Sequence, residues 1–422
     1  MTGAPVLRRF DAAVLGGGIV GMSCALHLQK RGLAVAVIDR DRPGRGASYG
    51  HAGLVERSSV IPYAFPRRLG ELLRHAARRG SAVSYDPMFL PRIAPWLVRY
   101  WWHSAPARLR RAGADILPLI ERSVAEHEAL AAEAGASALL MDRGWIEVCR
   151  DDAALRRAAD HAAGMAAFGL DAAVLDRAAL AALEPGLLPA AIGGIHWRDP
   201  RTTTDPAGLV NRYAALFESR DGALLRGDAR TLAPAPEGWG LATAGGDLRA
   251  AQVVLALGAA SAEVYRPLGY RLPLEAKRGH HLHFAQPSGG GLNRPVADEV
   301  NGFVLSPMAQ GLRLATGIDL SPPGAPPAQG QMARARARAS ELVPLGDPVE
   351  RAPWVGLRPC LPDMRPVIGP APRHPGLWFA FGHAHHGFTL GPATGRLVAE
   401  MMTGDTPFAD PAPFRAERFA GR

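Results

Sequence analysis

Asp11-Ala-Ala-Val-Leu-Gly16-Gly-Gly-Ile-Val-Gly21 is the stretch on which the fold turns. Its first five residues form a short apolar run of strand type, and helical spacing follows the glycines through Leu28. A second apolar run, Ala34-Val-Ala-Val-Ile38, ends at Asp39, 18 residues beyond Gly21. Strand, glycine turn, helix, strand and a terminal acid make a dinucleotide-binding unit. In it Gly16 permits the tight turn, Gly18 lets the backbone approach a pyrophosphate, and Gly21 brings helix and strand together. The helix N-terminus faces the phosphates, and Asp39 is placed to accept hydrogen bonds from ribose hydroxyls. The motif alone does not choose between NAD and FAD.

The 422 residues suit two lobes rather than one simple core. No apolar run approaches the roughly 18 residues of a membrane span. Met1–Phe10 lacks the apolar core and cleavage site of a signal peptide, so no leader is expected. Cys24, Cys149 and Cys360 are far apart, form no CxxC, and fit a reducing cytoplasm. The formal charge of +9 invites a nucleic-acid reading. However, only Lys30 and Lys277 are lysines, and no recognition motif accompanies the arginines, so no nucleic-acid partner is expected.

Three further segments choose the cofactor: Gly46-Ala-Ser-Tyr-Gly-His-Ala-Gly53, Trp354-Val-Gly-Leu-Arg-Pro359 with Pro362-Asp-Met-Arg-Pro-Val-Ile-Gly369, and Gly382-His-Ala-His-His-Gly-Phe-Thr-Leu-Gly-Pro-Ala-Thr-Gly395. In this order they resemble the FAD-dependent D-amino acid oxidase/dehydrogenase family, which includes glycine oxidases, sarcosine oxidases and bacterial D-amino acid dehydrogenases. The resemblance runs from residue 10 to about 405. It implies an α/β fold of glutathione-reductase type. A Rossmann-like FAD-binding lobe (1–60, 205–268 and 350–422) would be joined to an α+β substrate lobe (61–204 and 269–349) carrying an antiparallel sheet. Compatible patterns are a helix over Asp205–Arg220 and strands at Ala223–Ala229, Val253–Ala256, Leu274–Phe284 and within Gly302–Thr316. Leu72–Gly113, Ala125–Arg143 and Asp151–Glu184 read as helix-rich, Ser321–Gln331 as a loop, and Ala333–Arg338 as a solvated helix face.

Carried over residue by residue, the resemblance makes Arg358 the clamp of the substrate carboxylate, for which a guanidinium offers two parallel hydrogen bonds. His385 aligns with a residue that reaches the substrate, and Phe303 with an aromatic over it; a backbone-bonded histidine and a core phenylalanine are the plain alternatives. The implied FAD site comprises Gly16, Gly18, Ile19, Val20 and Gly21, then Asp39 and Arg40. It continues through Ala47, Ser48, Gly50, His51, Ala52 and Gly53, then Ala229 and Gly258, and closes with His383, His386, Gly387, Phe388 and Thr389. Relatives often carry Asn where His51 stands. Non-covalent FAD is expected, because the attaching Cys of covalent sarcosine oxidases falls at Gly356. No metal is expected, although His280, His281 and His283 could join His383, His385 and His386 in a histidine-rich cluster.

The implied reaction is hydride transfer from Cα of a small, D- in preference to L-, amino acid to flavin N5, giving a 2-oxo acid and ammonia. A secondary-amine substrate resembling sarcosine or proline is the alternative. A quinone or other carrier is the expected electron acceptor. Arginines 67, 68, 74, 78, 79, 92, 99, 108, 110 and 111 lie among Trp96, Tyr100, Trp101 and Trp102. That mixture suits either an interfacial helix touching the inner face of the membrane or a helix packing its aromatics inward.

Overall fold

The computed structural model describes residues 8–68, 70, 72, 81–286 and 291–420. The expectations for Arg74, Arg78, Arg79 and the first seven residues therefore lie outside the described residues. Two large sheets organise a mixed α/β fold.

The first sheet grows from the opening motif. Arg8–Leu15 pairs in parallel with Val35–Asp39 on one side and with Gly246–Leu255 on the other. Ala223–Arg226 extends the parallel set beyond Val35–Asp39, and Leu377–Phe381 joins the C-terminal half of Gly246–Leu255. Leu15, Val37, Ile38, Val254 and Leu255 are essentially inaccessible, as strands covered on both faces must be. Gly238–Thr243 and Ala233–Ala235 continue the sheet as an antiparallel hairpin, which the sequence patterns did not reveal.

The helix Ile19–Gln29 is apolar nearly all round because it is covered nearly all round. It lies between this sheet and the last helix, Gly387–Thr403, and Pro206–Ser219 flanks it. Gly395 permits the close crossing: a Cβ there would lie 2.5 Å from the Ser23 carbonyl carbon and 2.7 Å from the Cys24 nitrogen.

The second sheet is mostly antiparallel. Its central strand, Glu275–Phe284, pairs with Gly311–Thr316 along one edge and with Trp354–Cys360 along the other. Phe303–Met308, Val296–Asp298, Trp145–Cys149, Gly193–Trp197 and Ala172–Asp176 continue outward. Three departures from the sequence patterns have physical reasons. Trp354–Cys360, assigned by resemblance to the FAD lobe, is bonded into this second sheet. Pro106–Glu133 is one continuous helix that passes through Pro118 and packs on Gly387–Thr403 instead of breaking between two helical segments. Asp151–Glu184 is split by the strand Ala172–Asp176 between the helices Asp152–Met165 and Arg177–Leu183.

The aromatic stretch divides by helical periodicity. On Leu90–His103, Trp96 and Tyr100 are buried with Ile93, Leu320 and Cys360. Trp101 and Trp102 face outward under Arg67 and Arg108, whose guanidinium carbons lie 4.2 and 3.8 Å from the ring centroids. Among the described residues no helix is long and apolar enough to cross a membrane.

Overpacking a tight crossing costs about 1–3 kcal/mol. Gly395→Ala should therefore lower the denaturation midpoint by a corresponding amount in a urea titration. A midpoint equal to that of the parent would show that the helices separate without cost.

Candidate functional site

A cavity of about 1330 Å³ runs from the glycine turn, past Ser48 and Trp354, to the second sheet. Its first end is built as the spacing predicts. Gly16 has φ of 114°, and a Cβ on Gly21 would stand 1.8 Å from the Gly16 carbonyl oxygen, so the helix can approach the strand only with glycine there. Beside Gly18 the space is open: a Cβ there would have only Ser48 Oγ within 4 Å, at 3.6 Å. Ser48 Oγ accepts from the Ile19 N–H at 3.0 Å. Asp39 accepts from the Gly17 N–H (2.6 Å) and the Asp41 N–H (3.0 Å), bracing the turn while its carboxylate lines the cavity.

Of the residues singled out in the sequence, Ile19, Val20, Arg40, Ala47, Gly50, His51, Ala52, Ala229, Gly258, His383, His385, Gly387, Phe388, Phe303 and Arg358 also line this cavity. Gly21, Gly53, His386 and Thr389 stand behind its wall. A Cβ on Gly53 would meet the Thr203 carbonyl oxygen at 2.2 Å, and Thr389 Oγ1 accepts from the Glu56 N–H at 3.0 Å. Phe303 is 2% exposed and belongs to the core of the second sheet, so its packing role is realised together with its place at the wall.

The loop that follows Ser48 is held from the second sheet. Arg313, fully buried, donates to the carbonyls of Tyr49 (2.9 Å) and His51 (2.5 Å) and through Nε to His283 Nε2 (2.9 Å). Accepting at Nε2 leaves His283 its Nδ1 proton for Glu350, 2.5 Å away. Trp354 closes the other side; a Cβ on Gly50 would lie 1.8 Å from its ring. The His51 ring stacks on Phe388 with centroids 4.8 Å apart.

Arg358 reaches the cavity across Gly279, where a Cβ would come within 2.6 Å of its guanidinium. It donates to the carbonyls of Gly317 (2.8 Å) and Thr316 (3.2 Å). Among the described residues no carboxylate lies within ion-pair distance. Directly opposite on the paired strand stands Lys277, a residue without a motif to mark it. Its ammonium sits 3.7 Å from the Tyr100 centroid, and burial, with Arg358 adding repulsion, lowers it to about 8. Facing pairs in an antiparallel ladder share one face, so two cations stand together at the cavity wall.

The histidines divide by strand alternation. His280 meets Asp319 at 3.2 Å on one face, while His281 and His283 contact each other on the opposite face. Burial holds His51 and His383 down to about 3 and His386 to about 4, with the charge of His386 also acting on His383, so these rings are neutral near pH 7. Among the described residues, only Glu56, His385 and His386 bring three potential metal-ligand atoms within 4.8 Å of one another.

The residues present fit FAD. A Cβ at Gly18, Gly258 or Gly387 would meet no atom closer than 3.6 Å, so the backbone is open to a ligand at all three, and the helix N-terminus borders the same cavity. A family model described as FAD dependent oxidoreductase, DAO, matches residues 11–401. The chain belongs to this family. The D-amino acid dehydrogenase 2 of Ralstonia nicotianae is 31% identical over 426 residues, covering 96% of this chain and 99% of the relative. The D-amino-acid oxidase of Bradyrhizobium diazoefficiens is 28% identical over 419 residues, covering 96% and 98%. Glycine oxidase from Geobacillus kaustophilus shares the fold with a TM-score of 0.75 at 24% identity, covering 98% of this chain and 100% of that one. L-proline dehydrogenase from P. horikoshii does so at 0.73 and 19%, covering 98% of each. The chain is thus an FAD-dependent oxidoreductase.

The lowered Lys277 gives a pH signature. Between about 8 and its ordinary 10.5, the unfolded chain holds a proton that the folded chain has released. This residue therefore makes stability rise with pH across that window. Lys277→Met should flatten the rise in ligand-free protein, measured as unfolding free energy against pH. An unchanged slope would place the Lys277 ammonium in an ordinary, hydrated setting.

Proposed function

We propose that this oxidoreductase converts a small amino acid, D- in preference to L-, to its 2-oxo acid and ammonia. The observation that carries the reading is the pair of cations, Arg358 and Lys277, side by side at the cavity wall without a carboxylate partner among the described residues. Buried charge that the fold does not neutralise is costly, and a substrate carboxylate would neutralise it. FAD bound along the cavity would supply the hydride acceptor.

The chain's own groups do the rest. Arg358 offers the carboxylate a planar fork, and Lys277 adds a point charge, so the substrate's position and rotation are both set. Neutral His385 lies against the Tyr63 ring at 4.6 Å and adds no positive charge that would repel a developing iminium. Once the amine is neutral, no side-chain base is required. Phe303 and Trp354 limit the water that reaches the reacting carbon.

The cofactor is read as non-covalent: Gly356 has no side chain to attach it, and burial raises the Cys360 thiol, keeping it protonated. Electrons pass, in this reading, to a quinone or other carrier. Exposed Met88, Val98, Trp101 and Trp102 near Arg67 and Arg108 support peripheral contact with the inner face of the membrane, and three free, buried cysteines support a cytoplasmic setting.

Anaerobic mixing of the FAD-loaded protein with D-, L- and N-substituted amino acids, followed by flavin absorbance, tests the reading directly. Bleaching by D-amino acids is the expected result, and bleaching only by N-substituted or cyclic amines would move the substrate class. Arg358→Ala should keep its flavin but lose roughly two to three orders of magnitude in kcat/KM, the scale of losing a charge-assisted bidentate contact. Unchanged kinetics would remove Arg358 from the site.

A further inference from the structure

The cavity that holds the two cations also carries carboxyl groups that no cation among the described residues meets. Glu56 follows the short strand Leu54–Val55 and lines the cavity; no hydrogen bond or ion pair reaches its carboxylate among the described residues. Glu299 follows Val296–Asp298 at the cavity's exposed edge and accepts from the Tyr63 hydroxyl at 3.2 Å. Burial and Glu299 push Glu56 up to about 8, and burial and Glu299 push nearby Glu147 up to about 7.

The most deeply buried acids of the molecule are, by contrast, paired. Elsewhere, arginine meets the buried acids: Arg294 at Glu184, Arg278 at Asp319, Arg150 at Asp298, Arg396 at Glu126, and Arg365 with Arg418 at Asp363. An arginine-rich chain of charge +9 has no shortage of cations, yet among the described residues none pairs with half-buried Glu56 or exposed Glu299.

An independent feature points to the same place. His386 is 4% exposed, its Nε2 has no hydrogen-bond partner, and a donor atom of its ring lies within 4.8 Å of those of Glu56 and His385. The Nε2 of His385 is likewise buried without a partner. Neutral imidazole nitrogens beside carboxylates accept hydrogen bonds from a cationic N–H group. Tyr63 joins the two walls, its ring against His385 and its hydroxyl on Glu299.

We propose that Glu56 and Glu299, with His385 at the wall and His386 behind it, bind a cationic group at the end of the substrate side chain, making lysine- and arginine-like D-amino acids the preferred class. This rests on the reading of the site as an amino acid oxidation site and replaces the small side chain of that reading with a long, basic one. Arg358 and Lys277 take the carboxylate, the long apolar stem crosses beside Tyr63, and the terminal ammonium or guanidinium meets the carboxyls.

Holoenzyme reduced anaerobically by D-lysine and by D-norleucine, its neutral near-isostere, tests this. D-Lysine should half-saturate reduction at a concentration about tenfold or more below D-norleucine, the scale of a charged hydrogen bond. In Glu56→Gln/Glu299→Gln that ratio should collapse toward one, with retained flavin absorbance reporting that the variant folds. Equal half-saturation in the parent, or a ratio that survives in the variant, overturns the proposal while leaving amino acid oxidation intact. If neither compound reduces the flavin, the activity reading fails, and the pocket is judged on binding alone. Perturbation of the oxidised flavin spectrum by D-lysine at lower concentration than by D-norleucine then upholds it, and equal perturbation overturns it. Micromolar Zn²⁺ that displaces D-lysine and needs His386 would assign the wall to a metal and overturn it as well.

Discussion

Pairing of Glu275–Phe284 with Trp354–Cys360 sets most of what this molecule can do, because its register decides which side chains face the cavity together. With Lys277 opposite Arg358, two cations share one face; a shift by one residue would send one strand's side chains to the other face. The same register puts His281 opposite Trp354, whose ring fills the space a side chain at Gly50 would need. Gly279, opposite Gly356, leaves room for the Arg358 guanidinium. Along its other edge, Glu275–Phe284 sets His283 opposite Arg313, and Arg313 clamps the loop carrying His51. One strand therefore positions both the two-cation wall and the loop that carries His51.

What was legible in the sequence is what depends on short-range spacing. Gly16, Gly18, Gly21 and Asp39 declare themselves because strand, turn and helix are consecutive, and their geometry follows from sterics within one unit. Arg358 and the segment from His383 to Thr389 were singled out through resemblance alone, and the fold brings them to one cavity. Lys277 was not, since its meaning comes from a strand partner distant in sequence. Nor were Glu56, Tyr63 and Glu299, which occupy separate segments brought together only by the closed fold. Two ambiguities of the sequence yield to periodicity. Spacing of four residues puts Trp96 and Tyr100 on one helical face, and strand alternation separates His280 from His281 and His283.

Arg313 illustrates how position changes the meaning of a charged residue. Like Arg358 it has no carboxylate within ion-pair distance among the described residues, but its bonds to Tyr49, His51 and His283 tie the loop to the second sheet. Burial lowers its affinity for a proton to about 10, still leaving it charged near neutrality. It holds the loop and has no need of a ligand. Arg358 donates to carbonyls at Gly317 and Thr316 while remaining on the cavity wall beside a second cation. The two arginines thus differ in place and neighbouring charge: Arg358 lines the cavity beside Lys277, and Arg313 does not line it.

The neutral histidines complete the electrostatic argument. If His51, His383, His385 and His386 were protonated, the cavity would be positive throughout and could not orient a zwitterion. Burial strips them of charge, leaving positive potential at Arg358 and Lys277 and, at Glu56 and Glu299, carboxyls that an arriving cation would draw into their ionised form. In a low-dielectric cleft such separation is felt strongly, because little water screens it. A ligand bearing a carboxylate at one end and a cation at the other would find one orientation favourable and its reverse repelled at both ends. Orientation would then be imposed before any contact with the reacting carbon, through cavity carboxyls left without the arginine partners that the fully buried acids have.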